Sequence, residues 1–172
     1  MVTAVTLALA LAFEPTEPGV MQRKPRPPGT PILSGFLIWR IIFVSVLLVA
    51  GTFGHYLWME QAGVATEVAR TVAINTLVAG QIFYLWNSRY ILEPILNREG
   101  LFGSRPVLMA IGILIGLQLL FTYAPFMQIL FDTAAIGMDE WIRIIAFGLL
   151  LFVLVEVEKG VLRTVRGRDT TS

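Results

Sequence analysis

Four long apolar stretches constrain this chain more than any other feature of its sequence. They are residues 36–59, 68–88, 106–123 and 141–158, and a shorter apolar run, residues 1–13, precedes them. Each long stretch approaches or exceeds the roughly 20 residues that cross a hydrocarbon core. Only helices or closed barrels satisfy the backbone inside a bilayer, and these stretches lack the alternation of barrel strands. The sequence therefore predicts an all-α membrane protein, a helical bundle of about five transmembrane segments.

Composition excludes several classes of protein. Hydrophobic residues make up 56% of the 172 residues and charged residues only 15%, whereas soluble domains carry roughly 25% charged residues. A single transmembrane domain, residues 1–172, fills the length and leaves no room for a soluble catalytic domain. Cysteine is absent, which excludes disulfides, thiolate metal sites and cysteine nucleophiles.

Basic residues set the expected orientation in the membrane. Eleven of the thirteen Lys and Arg residues lie in or beside three segments, residues 14–35, 89–105 and 159–172. By the positive-inside rule these segments are cytoplasmic, and residues 60–67 and 124–140 are outer loops. We therefore expect a multi-pass protein of the cell membrane with a cytoplasmic C-terminus.

The opening apolar run is too short to span a bilayer by itself. Thirteen residues of helix rise about 20 Å, against a hydrocarbon core of roughly 30 Å. We interpret residues 1–13 as the cytoplasmic half of a spanning helix whose outer half is missing, so that the first segment is truncated. A signal peptide ending near the Ala-Leu-Ala triplet of residues 10–12 is the alternative, although it would export the basic segment that follows.

Several motifs occur in a distinctive order. The segment "FEP" is followed by "GVMQRKPRPP" and "ILSGFLIWR", and later by "GTFGHYLWM", "ARTVAINTLVAGQIFYLWNSR", "YAPFMQILFDTAAIGMDEW" and "FVLVEVEK". This order resembles the C-terminal transmembrane region, from part of helix six to helix ten, of P-type cation-transporting ATPases. The resemblance is strongest to the calcium-pump-like branch of bacteria and archaea, and it covers essentially the whole chain.

The resemblance implies a function within a larger pump. It implies that the chain supports the transport helices and forms part of the ion site, beside the remaining membrane helices and a cytoplasmic phosphorylation domain in the lipid bilayer. The sequence contains no DKTGT-type aspartate, nucleotide-binding domain or actuator loop. We therefore expect no cofactor and no ATP hydrolysis in this chain alone, with Mg-ATP serving the full pump. The alternatives are a separate scaffold or regulatory subunit, a degenerate pump fragment, or a small redox subunit.

The resemblance also suggests two ligands for the transported cation. The threonine and aspartate positions of the sixth helix fall on Thr3 and Ala4, and the glutamate position of the eighth helix falls on Gln81. Calcium prefers six to eight oxygens, usually including carboxylates, so the resemblance implies an incomplete calcium site to which Thr3 and Gln81 contribute oxygen atoms. The sequence is compatible with calcium, manganese, sodium or protons as the transported ion. The alternative for Gln81 is an interhelical hydrogen bond of about 0.6 kcal/mol.

Other polar and small residues suggest structural roles. Gln81, Tyr84 and Ser88 form a stripe that should face the bundle, and we expect Asn75 to join helices. Two small-residue pairs should mediate packing within the bundle, and we expect the acidic and basic residues at the end of the last helix to pair in solvent. The pairs are Gly112 with Gly116 and Ala50 with Gly54, and the charged residues are Glu156, Glu158 and Lys159.

The charge argument makes a direct prediction about topology. Because the chain has no native cysteine, single cysteines can report which side of the membrane each loop occupies. Cysteines at Thr30, Asn97 and Thr170 should be protected from an impermeant thiol reagent in intact cells, and cysteines at Ala62 and Thr133 should react. Labelling at position 97 from outside would contradict the model of five crossings.

Overall fold

A computed structural model describes residues 35–88 and 105–169 together with five helical positions near the start of the chain, Thr3, Val5, Thr6, Ala8 and Ala12. The described ranges form helices and no strands. The helices are α1 (Gly35–Gln61), α2 (Thr66–Ser88), α3 (Arg105–Tyr123), α4 (Pro125–Phe131) and α5 (Met138–Asp169). The expected all-α membrane class is confirmed.

Two described helices are long and apolar enough to cross a membrane, Leu37–Gln61 of α1 and Thr66–Asn87 of α2. A third crossing consists of α3 and α4 if the two count as one span, although their axes meet at a bend of 77°. Helix α5 is longer than either, but charged residues near both of its ends shorten its uncharged stretch.

A tight turn makes α1 and α2 antiparallel. Gly63 adopts a left-handed backbone conformation, with φ of 73°, and its amide donates to the carbonyl of Glu60 at 3.0 Å. Glycine adopts this conformation without steric cost and commonly follows the end of a helix. The chain therefore leaves α1 and enters α2 within a few residues.

Helix α2 is the centre of the described bundle, because it packs against both α1 and α5 along its length and against α3 on another side. Three groups of buried apolar residues join these helices, and their membership shows which helices meet at each level. One group joins α1, α2 and α5 near the α1–α2 turn, a second joins α1 and α5 at the opposite end, and the third joins α2 and α3. They are Met59, Ala69, Val72, Ile136 and Ile144; Val44, Leu151 and Val155; and Val78, Ile82, Leu85, Val107, Ala110, Ile111 and Leu114.

Three glycines allow α1, α2 and α5 to approach one another closely. At each of them a Cβ atom would overlap a large side chain of a neighbouring helix, which would have to move to admit any larger residue. The contacts form a closed cycle in which each helix provides one glycine and one large side chain. The pairs are Leu48 of α1 on Gly80 of α2, Phe83 of α2 on Gly148 of α5, and Phe147 of α5 on Gly51 of α1.

The small-residue pairs singled out by spacing lie elsewhere. No heavy atom of the described residues lies within 4 Å of a Cβ position built at Gly54, Gly112 or Gly116, and Ala50 is exposed. The expectation that these pairs mediate packing is wrong for the described bundle. Spacing alone identified small residues that could share a helix face, but it did not identify which face meets a neighbouring helix.

The segment between α3 and α5, expected as a loop, contains α4 and the first turn of α5. Thr133 is only 6% exposed, because the chain after α4 turns back onto α2. A cysteine at Ala135, which is exposed, therefore replaces position 133 as the better reporter of this side of the membrane.

The glycine cycle predicts that adding bulk at Gly148 destabilises the fold. Gly148→Val forces the Phe83 ring out of its position, and such overpacking typically costs about 1–3 kcal/mol of unfolding free energy. The measurement is the unfolding of the detergent-solubilised protein by SDS. Gly112→Val is the matched control on an open helix face, and an equal loss of stability in both variants would contradict the role of the cycle.

Candidate cation site and buried charges

Gln81 lies on α2 next to the contact that Gly80 makes with Leu48. It is seven residues from Ser88, the end of the helix, which corresponds to a depth of about 10 Å. Its side chain is half-buried, and its Oε1 atom is buried without a hydrogen-bond partner among the described residues. A buried acceptor without a partner costs about 1–3 kcal/mol, so this oxygen is suited to a ligand that supplies positive charge.

Tyr84 lies one turn further along the predicted polar stripe. It is half-buried and packs against the cluster formed by Val44, Leu151 and Val155. Tyr84 therefore faces the bundle as expected, while the side chain of Ser88 lies outside the described residues.

The two predicted cation ligands are not joined by a described contact. Thr3 is helical and half-buried, and Ala4 lies outside the described residues. Among the described residues no hydrogen bond connects Thr3 with Gln81, and their pairing stays a prediction. The described residues also contain no group of three or more acidic, histidine or cysteine side chains that could hold a metal ion.

A second polar site, which the sequence analysis missed, lies between α2 and α3. Gln118 and Trp86 line a mainly apolar cavity of about 260 Å³ that also reaches Phe83 and Trp141. The Gln118 Nε2 and Trp86 Nε1 atoms are buried without hydrogen-bond partners among the described residues. Both atoms are donors, so as placed they do not provide the oxygen that a cation requires. Gln118 is therefore a natural comparison for Gln81.

Asn75 joins α2 to α3, as expected. Its Nδ2 atom donates to Thr122 Oγ1 at 3.1 Å and to the carbonyl of Thr71 at 2.9 Å, in a buried environment. Asn75 is thus satisfied by structural hydrogen bonds and has no comparable unpartnered atom among those that the structure describes.

A buried ion pair links α1 to α5 near the predicted cytoplasmic end. Arg40 Nη2 lies 2.6 Å from Glu158 Oε2, and the two side chains are only 5% and 10% exposed. Val44, one turn further along α1, packs against Leu151 and Val155 of α5. This close packing removes the pair from the surface.

A buried lysine links α5 to α2 at the same end of the bundle. The Lys159 side chain is fully buried, and its Nζ atom donates to the carbonyl of Asn87 at 2.6 Å. Asn87 Nδ2 in turn donates to Glu156 Oε2 at 3.2 Å, which also lies 3.5 Å from Lys159 Nζ. A cation at this position satisfies a free carbonyl at the end of α2 and interacts favourably with the helix dipole.

The expectation that these charges pair in solvent is therefore wrong. Arg40 and Lys159 carry two positive charges, and Glu156 and Glu158 carry two negative charges. Each pair, Arg40 with Glu158 and Lys159 with Glu156, therefore combines opposite charges, which is how charges become tolerable in a low-dielectric interior. The sequence placed Arg40 near a membrane boundary but did not show that it faces α5.

The bundle and the polar residues along α2 define a class, helical membrane proteins with buried polar groups between spanning helices. Comparison with known proteins gives the family. Residues 1–161 match the family described as "Cation transporting ATPase, C-terminus". The chain belongs to this family, as the C-terminal region of a P-type cation-transporting ATPase.

Individual relatives agree with this assignment. The chain is 37% identical over 158 residues to "Probable cation-transporting ATPase F" of Mycobacterium tuberculosis, covering 92% of this chain and 17% of that protein. It is 33% identical over 146 residues to "Cation-transporting ATPase pma1" of Synechocystis, covering 82% of this chain and 16% of that protein. It is 26% identical over 157 residues to "Calcium-transporting ATPase 1" of Yarrowia lipolytica, covering 91% of this chain and 17% of that protein. The chain thus spans only a small part of the length of these relatives, and the resemblance seen in the sequence is confirmed.

The buried network predicts a large difference between two arginines. Arg40→Ala leaves Glu158 buried without its partner, and breaking a buried pair in this way typically costs about 3–5 kcal/mol. Replacing both residues, as Arg40→Met with Glu158→Leu, should restore much of this stability. SDS unfolding of the solubilised protein measures the effect.

Arg70→Ala is the matched control for Arg40→Ala. Its pair with Asp132 is exposed, at 40% and 71% for the two side chains, and exposed pairs contribute little. Equal destabilisation by Arg40→Ala and Arg70→Ala would show that the Arg40 pair is solvated after all.

Proposed function

We propose that this chain works as the C-terminal part of the membrane domain of an ATP-driven cation pump. It supports the transport helices, and Gln81 provides one oxygen ligand to the transported cation. Mg-ATP is used by the cytoplasmic domains of the full pump, which lie outside this chain. Residues 14–28, which lie outside the described residues, contact the phosphorylation domain as the family resemblance implies, and the C-terminus lies in the cytoplasm.

The unpartnered Oε1 atom of Gln81 is the observation that supports this role most strongly. The oxygen is buried on α2, and α2 is held on both sides by close contacts with α1 and α5. A ligand atom on a rigid helix is positioned more precisely than one on a loop. A neutral amide oxygen binds a cation without adding a buried negative charge.

We further propose that calcium is bound more weakly than in a complete two-ion site. Several relatives carry the name calcium-transporting ATPase, including those of Yarrowia lipolytica and Bacillus subtilis. Ala4 and Gln81 occupy positions at which the calcium-pump pattern has carboxylates. Calcium affinity depends on the number and charge of the ligands, so the site takes at most one calcium ion, with Thr3 as a second oxygen donor.

The test compares two glutamines in the full pump. Gln81→Ala should raise the cation concentration needed for half-maximal ATPase activation, because one oxygen ligand is lost. Gln118→Ala should leave this concentration unchanged, because the Gln118 amide on α3 is similarly buried but does not bind the cation. Activation is measured with calcium and then with manganese, sodium and protons as the varied cation.

The reverse substitutions give the second part of the test. Ala4→Asp together with Gln81→Glu should strengthen calcium activation, provided that both carboxylates are next to the ion. If every cation activates the Gln81→Ala and Gln118→Ala pumps at the same concentration as the wild type, Gln81 is structural and the assignment of the site is wrong.

A further inference from the structure

Helix α4 is a short apolar helix whose large side chains are largely exposed in the described structure, although Phe131 packs against the Phe121 ring. It contains no buried residue, and Phe126, Ile129 and Leu130 are 58%, 84% and 70% exposed. Their spacing of three and four residues places them on one face of the helix. The result is an exposed apolar stripe, which water would solvate unfavourably.

The direction of this stripe is fixed at the start of α4. Pro125 begins the helix after a bend of 77° from α3. The Gln128 side chain reaches back, and its Nε2 atom donates to the carbonyl of Thr122 at 2.8 Å. This bond satisfies a carbonyl at the end of α3, so the polar side of α4 is turned towards the protein.

The end of α4 is tied to the bundle as well. Asp132 ends the helix in a left-handed conformation, with φ of 53°. Arg70 of α2 donates to the Asp132 carbonyl at 2.7 Å and to its carboxylate at 2.6 Å. Two residues later the amide of Ala134 donates to Thr71 Oγ1 at 3.0 Å. Helix α4 is therefore attached to α2, the helix that carries Gln81.

Helix α3 alone approaches the length of a crossing, so α4 can lie outside the span. Its 19 residues rise about 28 Å, close to the thickness of a hydrocarbon core. At the junction, Trp141 Nε1 donates to the Tyr123 hydroxyl at 2.8 Å, and Tyr123 donates to the carbonyl of Ile136 at 2.9 Å. Tyr and Trp concentrate at membrane interfaces, so this pair marks the boundary at which the chain turns.

Both α3 and α4 carry exposed apolar side chains. On α3, Ile113, Leu117 and Leu120 are 57%, 42% and 45% exposed, and this surface faces lipid if α3 spans the membrane. The apolar stripe of α4 follows it along the chain beyond the bend. One lipid environment therefore fits both helices, with the acyl chains along α3 and the interfacial zone along α4.

We propose that α4 is an interfacial anchor that lies flat in the outer leaflet, with Phe126, Ile129 and Leu130 at the boundary between headgroups and acyl chains. The assignment of α4 to the outer leaflet rests on the proposed function and topology. This anchor is joined to α2, the helix that carries Gln81, by the hydrogen bond from the Ala134 amide to Thr71 Oγ1, with the weaker exposed contact of Arg70 beside it.

The experiment places a fluorescent reporter on α4 of the full pump in phosphatidylcholine–phosphatidylglycerol vesicles. Cysteines outside this segment are replaced, and Ile129→Cys is labelled with the polarity-sensitive dye NBD. A nitroxide attached to lipid near the headgroup should reduce its fluorescence more than a nitroxide near the end of the acyl chain, and aqueous iodide should have little effect. Ala135→Cys, in the exposed connection after α4, is the control and should be quenched by iodide.

Any other outcome overturns the proposal that α4 is an interfacial anchor. Strong iodide quenching at position 129 would place α4 in water, and quenching by neither reagent would mean that another pump segment or a second copy covers it. Cation transport is measured in the same vesicles. Failure of the pump assignment would therefore appear in transport, while failure of the anchor would appear only in the quenching pattern.

Discussion

The close approach of α2 to α1 and α5 is the contact on which the rest of the described structure depends. Gly51, Gly80 and Gly148 each accept a large side chain from the neighbouring helix, which brings three helices close together. Helix packing in membranes relies on such contacts, since lipid removes the usual hydrophobic driving force between helices. Charged groups within this bundle must then be paired by the protein itself.

The two ends of α2 are held by different kinds of interaction. At one end, Lys159 binds the carbonyl of Asn87, beside the buried pair of Arg40 with Glu158. At the other end, Arg70 and Thr71 hold the connection that follows α4. Gln81 lies between these two attachments, on a helix whose position is set from both sides. A single amide oxygen can act as a selective ligand only if its position is fixed in this way.

Much of the fold could be predicted from the sequence, because long apolar stretches leave few alternatives to helices in a membrane. The packing could not be predicted, since the spacing of Gly112 and Gly116 does not reveal which helix face meets a neighbour. In the structure Phe147 and Phe83 pack against other glycines, Gly51 and Gly148. The charges Arg40 and Glu158 lie 118 positions apart, and no local pattern pairs them. The prediction that Gln81 is a cation ligand came from the family resemblance, although a lone glutamine in an apolar helix is itself a signal. Helix α4 had a local signal too, an apolar run that follows directly on Pro125.

The most direct measurement of the central claim is the position of the bound cation in an experimental structure of the whole pump. Crystals prepared with calcium, and with manganese for its anomalous scattering, would locate the ion independently of any kinetic assay. The account predicts an ion at a ligand distance from Gln81 Oε1, about 2.3–2.6 Å for calcium, with Thr3 in the same coordination shell. An ion bound elsewhere in the membrane domain, with Gln81 hydrogen-bonded to a neighbouring helix, would contradict it.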